Sequence, residues 1–200
     1  MTLLKNSFIH KLIVSLVAAM ISLSAIAIDL SQTQNLANQG NVKAQLDLGI
    51  TYLLGIGADQ DYVKALEWYE KAANQGNADA QLMLGVMYID GVAVEKSYFK
   101  AVKWYEKAAN QGNIKAQYAL GSIHFEGKGV LQDYFKALEW WKKAANQGDA
   151  NAQVMIGALY FDGSGVRQNK TTAKEWFGKA CDNGSQIGCK EYRKLNERGF

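Results

Sequence analysis

Apolar residues along this chain fall at helical spacing, and the whole arrangement then repeats at a longer period. Ala44, Leu48 and Tyr52 lie at i, i+4 and i+8, one face of an α-helix. A second stretch carries Ala65, Trp68, Tyr69 and Ala72 in the same manner. Polar and glycine positions mark the ends: Asn41 and Asp61 precede the two stretches as N-caps do, and Gly55 and Gly76 close them. The string Ala-Asn-Gln-Gly recurs at 37–40, 73–76, 109–112 and 145–148, 36 residues apart each time, and a degenerate Cys-Asp-Asn-Gly follows at 181–184. The cap columns Asn41, Asn77, Asn113, Asp149, Ser185 and Asp61, Ser97, Asp133, Asn169 keep that spacing, as do Gly55, Gly91, Gly127 and Gly163. Each unit is therefore predicted to hold two helices of about 13 residues, too short to persist alone in water and dependent on stacking against neighbours.

Small residues suggest how the helices meet. Gly49, Gly85, Gly121 and Gly157 fall inside the first helix of each unit, where glycine costs roughly 0.8–1.0 kcal/mol relative to alanine. Close approach of the paired helix is the expected compensation, with Trp68, Trp104, Trp140 and Trp176 filling the space beside the contact.

The pattern Ala78-Asp79-Ala80-Gln81, Leu84-Gly85, Tyr88, then Trp104-Tyr105-Glu106-Lys107-Ala108-Ala109 resembles the Sel-1-like repeat, a relative of the tetratricopeptide repeat. The resemblance runs over about residues 37–190. It implies an all-α fold, a right-handed α/α solenoid of about four 36-residue helix-turn-helix repeats used as a protein-interaction scaffold. The expected organisation is a signal peptide at 1–27 and an N-terminal capping helix at 28–40. Four repeats follow over 41–184 (41–76, 77–112, 113–148, 149–184), then a C-terminal capping helix at 185–200. At the N-terminal end Gln32 takes the Trp column. At the other end Lys190, Glu191, Arg193, Lys194, Glu197 and Arg198 replace apolar and glycine columns, and a polar terminal face keeps such an array soluble.

Composition narrows the partner and the compartment. The chain is 48% hydrophobic and 20% charged, neither a disordered polar chain nor a set of membrane spans. Lys5, His10 and Lys11 precede the uncharged run Leu12–Leu23, and Ala25 and Ala27 form an A-x-A cleavage site. The mature protein is expected to start at Ile28 in the periplasm or outside the cell, touching membrane only through the export signal; an uncleaved anchor is the rival. Removing Lys5 and Lys11 lowers the formal charge of +3 by two, too near neutral for a phosphate-tracking surface, so no nucleic-acid partner is expected.

The candidate chemistry is sparse. Cys181 takes the column of Ala73, Ala109 and Ala145, and Cys189 that of Gln45, Gln81, Gln117 and Gln153. These columns should face each other across a tight turn. A structural disulfide is expected there, as an even count in an exported chain favours and as the cysteine-rich branch of the family implies. A redox-active pair would need closer spacing. His124 stands in the Tyr52, Tyr88, Tyr160 column and reads as a core histidine with its bonds satisfied; no zinc site or cofactor is expected. Gly-Ile-Gly at 55–57 and Gly-Ser-Gly-Val at 163–166 follow helices rather than strands, so they read as turns, not phosphate loops.

The remaining surface is a groove face, its columns also implied by tetratricopeptide geometry. Its candidate contacts to a protein or peptide are Lys43, Asp79, Asp90, Lys115, Tyr118, Ser122, Phe125, Glu126, Asn151, Phe161 and Asp162. Asp90, Glu126 and Asp162 could form an acidic row, although Asp-Gly before a turn is also plain turn chemistry. The expected function is a non-catalytic extracytoplasmic scaffold. The alternatives are a cell-wall-related or β-lactam-binding or -hydrolysing protein of the cysteine-rich type, and a secreted host-interaction factor. The enzyme would need a serine beside a basic partner, and no such constellation stands out.

Overall fold

The computed structural model describes residues 30–200. The expected signal peptide and cleavage site at Ala27 lie outside the described residues.

Ten helices follow one another, with no strand among the described residues: α1 (Leu30–Asn38), α2 (Val42–Leu54), α3 (Tyr62–Asn74), α4 (Ala78–Asp90), α5 (Tyr98–Asn110), α6 (Ile114–Glu126), α7 (Tyr134–Asn146), α8 (Ala150–Asp162), α9 (Lys170–Asp182) and α10 (Gln186–Glu197). Taken with the 36-residue period, this is an α/α solenoid. The caps set the boundaries. Asn41, Asn77, Asn113, Asp149 and Ser185 each accept a bond from the backbone N–H three residues on, satisfying donors that the first helical turn leaves unpaired. Asp61, Asp133 and Asn169 do the same for α3, α7 and α9. Gly55, Gly91, Gly127 and Gly163 close α2, α4, α6 and α8 in the left-handed region, with φ of 70°, 71°, 68° and 79°. Each turn is then tied down by one bond: Asp61, Ser97, Asp133 and Asn169 donate N–H to the carbonyls of Tyr52, Tyr88, His124 and Tyr160 at 2.8–2.9 Å.

The chain divides into two compact units, with the boundary at Trp104/Tyr105 inside α5. In the first unit, α3 and α4 bury Ala65, Tyr69, Ala72, Ala80, Leu84 and Met87 in one cluster, and a second holds Ala37, Ala44, Leu48 and Trp68. In the second unit, Ala137, Trp141, Ala144, Ala152, Ile156 and Leu159 form the larger cluster, and Ala173, Phe177 and Leu195 the smaller.

Gly49, Gly121 and Gly157 do mark close approach, but the column of Trp68, Trp104, Trp140 and Trp176 is not what fills it. A Cβ on Gly49 would come within 3.0 Å of the Tyr69 ring, one on Gly121 within 3.0 Å of Trp141, and one on Gly157 at 2.8 Å from Phe177. The filling residue is thus the one after the Trp column. Successive helical residues point about 100° apart, and position 69 rather than 68 turns toward the glycine of the facing helix. Trp68 instead packs on Ala37, Ala44 and Leu48 of α1 and α2, and Trp176 sits against the α7–α8 cluster. These two tryptophans join a hairpin to the one before it. Their exposed edges carry lysines, Lys71 at 3.7 Å from the Trp68 ring centre and Lys179 at 4.2 Å from that of Trp176; Lys143 lies likewise 3.7 Å from Trp140.

Candidate functional site

In the first unit the expected groove positions sort into core and surface. Leu53, Leu82, Val86 and Ile89 are 6% exposed or less, so these apolar columns are interior packing and offer no strip to a partner. Lys43 is exposed, and Asp79 and Asp90 are half-buried. Asp47, absent from the sequence-based candidates, lies half-buried on α2, and its burial pushes the carboxyl above the usual range against the pull of Lys43. Its signal was a carboxylate in a column that elsewhere holds Met83, Ala119 and Met155.

In the second unit α6 presents Lys115, Tyr118, Ser122 and Phe125, all half-buried, with Glu126 exposed at its end. The Tyr118 carbonyl accepts from Ser122 Oγ and from Trp141 Nε1, both at 3.2 Å. That bond fixes the indole behind the row. Phe125 wedges between Tyr134 and Trp141, with ring centres 5.4 and 5.5 Å away, so it supports the surface more than it forms it. Burial raises the Tyr118 phenol pKa, with Asp149 and Glu126 adding and Ser122 opposing, so the hydroxyl stays protonated and able to donate. Glu126 pairs with Lys128 at 2.6 Å. On α8, Asn151 and Asp162 are exposed, while Phe161 packs against the Ala173–Phe177–Leu195 cluster.

A second set of polar residues escaped sequence reasoning. Gln45, Gln81, Gln117 and Gln153 are buried, and each Nε2 donates to the carbonyl eight residues earlier, at Ala37, Ala73, Ala109 and Ala145, at 3.0–3.1 Å. Each bond staples a helix to the end of the one before it. The Oε1 atoms of Gln45, Gln117 and Gln153 accept in turn from Gln75, Gln147 and Asn183 at 2.7, 2.8 and 3.0 Å. A polar residue held at 36-residue spacing on an otherwise apolar face was the available signal.

The disulfide stands in the place of this staple. Cys181 and Cys189 are bonded, with Cα atoms 4.4 Å apart, in the columns that elsewhere hold the accepting alanine and the donating glutamine. A covalent link is shorter than a glutamine side chain, and α10 is drawn in accordingly. A Cβ on Gly188, where the other repeats have Ala44, Ala80, Ala116 and Ala152, would lie 2.7 Å from Ala180 Cβ and 2.9 Å from backbone.

His124 is buried at 7% exposure, yet its Nδ1 has no hydrogen-bond partner among the described residues, which corrects the expectation of a satisfied imidazole. Burial and Lys136 lower its pKa, with Asp133 and Glu106 opposing. No group of three or more metal-ligating side chains occurs among the described residues, and no described helix is long and apolar enough to cross a membrane.

The sequence profile of the Sel1 repeat matches residues 42–77, 78–113, 114–149 and 150–185. The chain belongs to the Sel1 repeat family. Proteins built from Sel1 repeats generally act as scaffolds for protein–protein interaction and are typically non-catalytic. Comparison with curated proteins gives no match. Among solved structures, a protective antigen present in uropathogenic Escherichia coli strains is 37% identical with a TM-score of 0.84, over 86% of this chain and 37% of that one. A Sel1 repeat protein from Oxalobacter formigenes is 35% identical with a TM-score of 0.75, over 83% of this chain and 48% of that one. The chain thus spans less than half the length of either. Helicobacter pylori cysteine rich protein B is 27% identical with a TM-score of 0.52, over 66% of this chain and 94% of the other.

Proposed function

We propose that this Sel1 repeat chain is an extracytoplasmic scaffold that holds a segment of another protein against α6 and α8 and makes or breaks no bonds. The observation that carries the reading is the surface of α6 and α8. These helices carry exposed Glu126, Asn151 and Asp162 together with half-buried Lys115, Tyr118, Ser122 and Phe161, while the invariant columns of the same helices are spent on caps, staples and core. Positions that differ from repeat to repeat are free to recognise something; positions that do not are holding the hairpins together. Ser122 donates its hydroxyl to the Tyr118 carbonyl one turn back, an ordinary use of serine in a helix and not that of a nucleophile.

Export and cleavage near Ala27 fit a disulfide that persists where thiols are oxidised. N-terminal sequencing of the protein recovered from an envelope fraction should read Ile28 onward. Glu126→Lys and Asp162→Lys together should keep far-UV helicity and lose the partner in an affinity pulldown. Unchanged capture would remove the rim of this face from consideration. Turnover of nitrocefin that disappears on a single Ser substitution would favour the β-lactam-directed alternative instead.

A further inference from the structure

An open cleft of about 560 Å³ lies in the second unit, and none of the groove positions lines it. Tyr160 at the end of α8 and Phe135 in the first turn of α7 give it apolar walls, and the loop 165–169 closes the remaining side. The loop is firmly placed. Asn169 N–H bonds the Tyr160 carbonyl at 2.8 Å, Gln168 Nε2 bonds the Phe161 carbonyl at 2.8 Å, and Gly165, at φ 68°, sits so close to Tyr134 that a Cβ there would lie within 3.0 Å of it. A cleft held this way loses little freedom when it is filled.

Its chemistry is one-sided. Phe135 is 69% exposed and takes no part in the cores that absorb Ala137, Leu138 and Trp141 of the same helix; Leu131, four residues earlier, is 91% exposed. Arg167 is the charged residue of the lining, and no carboxylate stands with it. Nearby cations are engaged elsewhere: Lys136 lies 4.0 Å from Asp133, and Lys170 lies 4.8 Å from the centre of the Phe200 ring. Arg167 has no ion pair among the described residues. The loop position itself is acidic in the first two repeats (Asp59, Glu95), apolar in the third (Leu131) and basic in the fourth (Arg167), whereas the glycine four residues before it and the cap two residues after it keep their roles.

We infer that this cleft is a second docking surface, and that it takes an extended segment of a partner protein in which a large apolar side chain is followed by a carboxylate. The apolar group fills the space between Phe135 and Tyr160, and the carboxylate meets the fork of donors on Arg167, a geometry that arginine suits and lysine does not. The inference goes beyond the groove reading, with which the cleft shares no residue, so the two can fail separately.

The test uses the full disulfide-bonded chain and fluorescein-labelled heptapeptides whose centre reads Phe-Glu, Leu-Glu, Gly-Glu, Phe-Gln or Phe-Lys, followed by polarisation. Phe-Glu and Leu-Glu peptides should bind at least about tenfold more tightly than the other three. Arg167→Glu should remove that preference and shift it toward Phe-Lys, Phe135→Ser should abolish binding, and Glu197→Ala, at an exposed position on α10, should change nothing. Absence of binding below ~1 mM for every peptide would overturn the inference. So would equal affinity for Phe-Glu and Phe-Lys, indifference to Arg167→Glu, or sedimentation showing that Arg167 and Phe135 serve instead to join two copies of the chain.

Discussion

Tyr69 carries a hydroxyl into the core of the first unit, fully buried, with no hydrogen-bond partner for its oxygen among the described residues. Its ring is there to meet Gly49, a task the hydroxyl does not share, and burial pushes the phenol pKa upward. An unpaired buried polar group costs about 1–3 kcal/mol. Tyr69→Phe should therefore leave stability unchanged or raise it by up to about 1 kcal/mol in urea unfolding; a loss larger than that would mean the oxygen is bonded in solution. His124 offers a pH test with a definite sign. Its folded-state pKa is lowered, chiefly by burial and secondly by Lys136, while Asp133 and Glu106 oppose. The unfolded chain binds a proton more readily than the folded one, so stability is complete above the ordinary histidine pKa and falls as pH drops through it. Thermal unfolding between pH 7.5 and 5 should show a decline that His124→Tyr, which restores the residue of the sister repeats, makes smaller. Equal slopes for the two proteins would contradict the assignment.

Between helices the recurring device is the glutamine staple, and α9–α10 is where it has been exchanged for sulfur. By the loop-entropy relation a bridge spanning eight residues contributes about 2.5 kcal/mol, more than the ~1 kcal/mol of a typical hydrogen bond, but it requires the closer approach that Gly188 permits. Gly188→Ala in the oxidised protein should cost about 1–3 kcal/mol through overpacking. The same change made together with Cys181→Ala and Cys189→Gln, which rebuilds the pattern of the earlier repeats, should be neutral or stabilising. A cycle of denaturation midpoints in which the two effects simply add would show that Gly188 has nothing to do with the bridge. At this scale the helices were legible because their signals are local: a cap, a left-handed glycine and an apolar face each act within a turn. Which of two adjacent aromatics would meet Gly49 was not, because Trp68 and Tyr69 differ only by a rotation that tertiary packing decides. The role of Gln45 was hidden for a related reason, since its partner at Ala37 belongs to another helix and the cleft beside Arg167 exists only once a loop has been folded.

For the molecule as a whole, one framework is used four times and the free positions are spent differently in each copy. Ala93, the non-glycine residue with positive φ (58°) among the described residues, occupies the column of Gly57, Gly129 and Gly165. The framework therefore tolerates drift even at a strained backbone position. The proposed scaffold function requires another protein to sit on the face of α6 and α8. Site-specific photocrosslinking asks this directly, with a benzophenone side chain at Ser122 on that face or at Glu139, exposed on α7, in protein expressed in its own cell. One discrete adduct is expected from Ser122, absent from Glu139 and lost when Glu126 and Asp162 become Lys. Adducts of equal yield from both positions, or none from Ser122 while Glu139 crosslinks, would contradict it.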